Sequence, residues 1–243
     1  MKFQVVPVVL SLGGAFLFSF NVSAGIRFDL DLVFDGTNTP PANPIPPWLS
    51  ASFESLAPNQ VLFTLEATEH LTGTENVRQF YFNFDDALDL DALAFTHLAS
   101  VGTFDLPVWT FSENGLKADG DGKYDVRLDF LTGSTTSLTF NQNESVRYLL
   151  SYGGPEFISE ASFNFLSHPA GGNGPFLVAA HVQNTLDGGS AWLAPSGDAI
   201  YTLIPEPSST GLLGLAGLAA LARWSEARSR RDGRRPSPHP DHP

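Results

Sequence analysis

The 243-residue chain has no cysteine, a single methionine and very little positive charge between its two ends. Without cysteine there is no disulfide framework, no thiol nucleophile and no thiolate-bound zinc, so a folded body has to hold together by packing alone. From Gly25 to Pro207 there are 23 Asp and Glu but only six Lys and Arg. A surface that acidic repels phosphate backbones and anionic lipid, so no nucleic-acid partner is expected and cations or neutral glycans are the better company. Long apolar runs are missing as well, except at the two ends.

At the N-terminus, Lys2 precedes an uncharged apolar stretch from Val5 to Phe20 and the small-residue pattern Val22-Ser23-Ala24. This predicts a secretory signal peptide over residues 1–24, cleaved after Ala24, with the Sec translocon and signal peptidase as early partners. At the other end, the triplet Pro205-Glu206-Pro207 opens a run of sixteen uncharged residues, Pro207 to Ala222 with the triplet's last proline included, and arginines follow. As a helix that run spans roughly 24 Å at about 1.5 Å per residue, short of a bilayer core of about 30 Å. Leucines go nearly all the way round it and leave no polar face for a soluble amphipathic helix. Arg223, Arg228, Arg230 and Arg231 fit a stop-transfer cluster held on the cytoplasmic side.

Between these ends, residues 25–203 read as one β domain. Ile26, Phe28, Leu30, Leu32 and Phe34 alternate with Arg27, Asp29 and Asp31; the same period of two recurs at Val61, Phe63 and Leu65, at Phe80, Phe82 and Phe84, and from Tyr124 to Phe130. Weaker strands are expected at residues 108–112, 137–141, 145–151, 161–166 and 176–183. Asn114-Gly115, Gly153-Gly154-Pro155 and Asp187-Gly188-Gly189 punctuate them as turns. The segment DDALDLDALAFTHLASV fits neither period and predicts a short helix or turn, and the prolines from Pro40 to Pro47 predict a loop outside any central strand. Eight or nine short strands in this order predict an all-β fold, an antiparallel β-sandwich of jelly-roll type, whose core is filled by phenylalanine, of which sixteen of the chain's twenty lie beyond residue 24.

Chemistry inside the body is sparse. Asp119, Asp121 and Asp125 are spaced like oxygen ligands of a calcium loop with Gly122 at the bend, although Lys117 and Leu128 occupy the positions of its first and last ligands. The competing reading is a solvated acidic hairpin turn. His70, His97, His168 and His181 share no metal-ligand spacing, and no G-x-S-x-G elbow exists, Gly188-Gly189-Ser190-Ala191-Trp192 failing at its last position. The body is therefore expected to be non-enzymatic and to need no cofactor, calcium apart. Trp48, Trp109 and Trp192 are either core residues or platforms for a sugar ring.

Taken in order, the Pro205-Glu206-Pro207 triplet, the span Gly211, Leu212, Leu213, Gly214, Leu215, Ala216, Gly217, Leu218, Ala219, Ala220, Leu221 and Ala222, and the arginines after it resemble the PEP-CTERM sorting signal of Gram-negative bacteria. The resemblance covers residues 204–231 and leaves 232–243 as a disordered tail. It implies a substrate of exosortase, a membrane-embedded cysteine transpeptidase, in which the Pro-Glu-Pro residues are recognised rather than catalytic. It also implies transient anchoring at the inner membrane, then release to the cell surface or to an exopolysaccharide biofilm matrix. A carbohydrate-binding or carbohydrate-active jelly roll sorted by the same tail is the alternative.

Overall fold

The computed structural model describes residues 22–35, 39–118, 121–133 and 138–205. The chain divides into a unit from Ser23 to Ile204 and a second unit, Met1–Val22 with Pro205–Pro243, that lies almost wholly outside the described residues. Within the first unit, each alternating stretch becomes a strand whose apolar set faces inward. On β1 (Val22–Leu30) the side chains of Ile26, Phe28 and Leu30 are buried, and on β4 (Gln60–Ala67) so are Val61, Phe63, Leu65 and Ala67. The remaining strands among the described residues are β2 (Leu32–Val33), β3 (Leu49–Ala57), β5 (Asn76–Phe82), β6 (Leu93–Val101), β7 (Val108–Lys117), β8 (Gly122–Asp129), β9 (Ser145–Tyr152), β10 (His168–Pro169), β11 (Val178–Gln183), β12 (Ser190–Ala194) and β13 (Ile200–Pro205). No α-helix occurs among those residues, only three short 3₁₀ turns.

These strands form two antiparallel sheets. One is ordered β13-β1-β3-β4-β9-β6; the other is ordered β10-β8-β5-β11-β12-β2, with β7 on the remaining edge of β8. Twice, an antiparallel ribbon passes from one sheet to the other. β1 pairs with β13 in the first sheet, and their continuations β2 and β12 pair in the second; β4 with β9 and β5 with β8 repeat the pattern. At the first crossing the carboxylate of Asp31 accepts hydrogen bonds from the Ser196 amide (2.7 Å) and hydroxyl (2.8 Å), which fixes the corner where β1 gives way to β2.

Phenylalanines from the facing sheets fill the space between them. Phe53 on β3 and Phe63 on β4 meet Phe82 on β5 at centroid distances of 5.2 and 5.5 Å, and Phe53 stacks on Phe163 at 4.5 Å. All four are fully buried, and each such ring contributes about 2–3 kcal/mol of burial free energy. The alternating phenylalanines of β1, β3, β4 and β5 are therefore core, whereas Phe111, Phe157 and Phe165 are exposed.

Several elements differ from the reading of the sequence. The segment after Asp86 contains a 3₁₀ turn, Leu90–Ala92, that leads directly into strand β6; only Leu93 of that strand is buried, so no alternation marks it. Residues 161–166, expected as a strand, hold the 3₁₀ turn Glu160–Phe163, because Ser159 and Ser162 form a reciprocal capping box at its start. Near residue 140 there is only an isolated bridge, Phe140 to Val77. Strands β3, β12 and β13 were not anticipated, since serine and alanine dilute the apolar pattern of the first two. Residues 39–48 carry no strand, as their prolines require.

Candidate functional site

On the acidic loop, Asp121 and Asp125 are both buried, 1 % and 3 % exposed, and both carboxylates already hold donors. Asp121 accepts from the Tyr124 hydroxyl and from Ser167 Oγ (3.1 Å). Asp125 accepts from the backbone amides of Phe84 (2.9 Å) and Asn114 (2.6 Å). The reason lies in a bulge: β7 and β8 slip register between Phe111 and Leu116, so the local ladder leaves Asn114 N–H without a strand partner and Asp125 supplies one. Burial pushes both carboxyls above their ordinary value, with the donated hydrogen bonds acting the other way. Asp119 lies outside the described residues. Among the described residues no group of three or more His, Asp or Glu is assembled as a metal cage.

The tryptophans divide. Trp48 and Trp192 are buried, Trp48 in the main core with its indole N–H donated to the Asn43 carbonyl (2.7 Å). Trp109 is half-buried at the core margin and lies 4.0 Å from Phe95. Trp192 belongs to a second, smaller cluster with Phe34, Tyr81, Tyr124 and Ala179, on the outer side of the second sheet.

That outer side carries the most organised polar surface of the molecule's described part. Antiparallel register sets Trp192, His181, Gln79 and Asp129 side by side across β12, β11, β5 and β8. His181 stacks on Trp192 at 4.6 Å and 15°. Gln79 Nε2 donates to Asp129 Oδ1 (2.8 Å) while its Oε1 accepts from the Tyr81 hydroxyl (2.9 Å), and Arg127 Nε donates to Asp129 Oδ2 (2.8 Å). Burial holds the Tyr81 phenol up at about 12, against the pull of neighbouring Arg127, so it stays a neutral donor throughout the physiological range. A row of stacked ring, amide, carboxylate and guanidinium can bind hydroxyl-rich ligands by hydrogen bonding. Sequence reading missed His181, Gln79, Arg127 and Asp129 as a group because only strand register brings them together.

Of the sorting residues, Ala24 lies in β1 and Pro205 is the last residue of β13. Glu206, Pro207, the span from Gly211 to Ala222 and Arg223, Arg228, Arg230 and Arg231 lie outside the described residues. Among the described residues no helix is long and apolar enough to cross a membrane. By architecture, then, the described body is an all-β protein of two antiparallel, sandwich-like sheets. No family model, curated protein or solved structure matches the chain.

Proposed function

We propose that this chain is an exported, non-enzymatic protein of jelly-roll type that exosortase sorts through a PEP-CTERM signal to the cell surface or the exopolysaccharide matrix. The observation that carries the proposal is the order of features at the two ends: a signal peptide, an acidic body, then Pro205-Glu206-Pro207, an uncharged span and an arginine cluster. Two features of the body support it. The register of β1 with β3 begins at Gly25, so cleavage after Ala24 leaves those pairs intact. The two ribbons that cross between sheets support the jelly-roll assignment. Glu206→Ala is expected to keep the protein cell-associated with its tail intact, whereas the parent is released; fractionation followed by immunoblotting reads the difference. Equal release of both would count against exosortase recognition.

A second reading is favoured by the polar row on the outer face of the second sheet. Flat sheet faces with a ring beside hydrogen-bonding planar groups suit polysaccharide, and the matrix is where the sorting signal would deliver the protein. Binding on a glycan array, lost in His181→Ala and Gln79→Ala, would establish it; an array without reproducible binding would remove it.

A further inference from the structure

The loop containing Asp187-Gly188-Gly189 does more than turn the chain. Together with Thr72–Glu75 it lines a cleft of about 350 Å³ whose walls include Glu75, Asn184, Thr185 and Asp187. Glu75 is 2 % exposed, and no basic side chain among the described residues pairs with it. Its Oε1 accepts from the Ala42 amide (2.6 Å) and its Oε2 from the Thr72 amide (2.7 Å) and, at 3.5 Å, the Thr72 hydroxyl, which leaves Oε1 the less occupied of the two oxygens. All of these donors are neutral, so no opposite charge meets the carboxylate.

An independent observation points to a ligand at the same place. Thr185 Oγ1, on the cleft wall in a residue 3 % exposed, has no hydrogen-bond partner; Oδ1 of Asn76, the residue after Glu75 and 1 % exposed but not part of the lining, has none either. The Asn76 amide nitrogen donates to the Thr74 carbonyl (3.1 Å), so the orientation of that side chain is set and its oxygen is the end left over. Gly189 is packed closely here: a Cβ there would stand 2.5 Å from Thr39 Oγ1 and 3.3 Å from Thr185 Oγ1, so a larger residue would crowd the Thr185 hydroxyl. Buried oxygens are rarely left unpaired without a water or an ion to meet them.

We propose that this cleft binds a calcium ion. Every available donor is a hard oxygen: the Glu75 carboxylate and the Thr185 hydroxyl at the floor, with the side chains of Asn184 and Asp187 at the mouth and water filling the remainder. Such a set suits calcium, which accepts six to eight oxygens in irregular geometry, better than magnesium with its strict octahedron, and the absence of sulfur and imidazole donors excludes the softer metals. The ion would neutralise Glu75 and tie the loop after β11 to the loop before β5. The site is separate from the Asp119–Asp125 loop and does not depend on the sorting reading.

Titration of the full chain with calcium chloride, followed by calorimetry and by thermal melting, tests this, with magnesium chloride in parallel. The expected result is one saturable calcium per chain, weaker binding of magnesium, and a melting temperature raised by about 5–10 °C at about a hundredfold excess over Kd. The double variant Thr185→Val/Asp187→Asn removes one oxygen donor and one negative charge without touching the Glu75 amide contacts; it is expected to melt normally without calcium and to lose at least about tenfold in affinity. No heat and no melting shift in the parent would overturn the proposal and leave the unpaired oxygens to water. Undiminished affinity in the double variant would overturn it too, and its loss in Asp119→Asn would assign the ion to the acidic hairpin instead.

Discussion

Asp121 sits in a pocket made by three other residues, and its chemistry follows from that enclosure. Tyr124 and Ser167 donate to its carboxylate, and a Cβ on Gly174 would collide with it, so there is no room for an added side chain on that side. Burial raises the carboxyl above the ordinary value of 3.8, as it does for Asp125. Between the ordinary and the raised value the folded chain therefore holds more protons than the unfolded one. The stabilisation is complete below the ordinary carboxylate range and is lost as pH rises through the raised pKa. Melting temperature is accordingly expected to fall as pH increases across that window, and to fall less in Asp121→Asn, which keeps an acceptor but carries no charge; equal slopes would contradict the account. Asp121→Ala leaves the Tyr124 and Ser167 hydroxyls unpaired and is expected to cost about 1–3 kcal/mol by denaturant unfolding. None of this was legible beforehand. Spacing alone showed Asp121 and Asp125 only as an acidic pair, because Ser167 and the amides of Phe84 and Asn114, which donate to them, lie elsewhere in the chain and meet them only across the sheet.

Strands declare themselves in sequence when one face is buried and the other wet, and they go unannounced when that contrast disappears. β1 was legible for the first reason, and β5 and β8 by their alternating Phe, Val and Leu even though Tyr81 and Tyr124 are buried on the second face as well. β6 was not, since it is an edge strand whose residues beyond Leu93 and Phe95 are all exposed, and β3 interleaves serine with its buried residues. The same exposure has a consequence for association. β6 contains no Asp, Glu, Lys or Arg, and Leu98 and Val101 on it are 51 % and 61 % exposed. Its protection is a bulge that drops Leu98 out of register between His97 and Ala99. A charge at the end of the strand is expected to add to that protection. Val101→Lys should change stability by less than about 0.5 kcal/mol and reduce self-association at high concentration, measured by light scattering; unchanged scattering would mean that the edge does not pair.

Across the whole molecule, fold class was legible because a period of two needs only neighbouring residues to be seen. The crossing of ribbons between sheets was not, because β1 meets β13 and β4 meets β9 through contacts that no local pattern encodes. The proposed role rests on the ends, where composition speaks most directly: an acidic body of 23 acids and six bases is flanked by a basic N-terminal residue and an arginine-rich tail. An acidic body favours solubility by repulsion, and a short uncharged span makes a poor permanent anchor. On the proposed reading both ends are processing signals, and the mature protein would be the body alone. Intact-mass and terminal-peptide mass spectrometry of the protein recovered from its native host tests this most directly. A chain that begins at Gly25 and lacks Gly211 to Arg235 is the predicted result, and a mature protein whose peptides continue through Arg223 to Arg231 would contradict it.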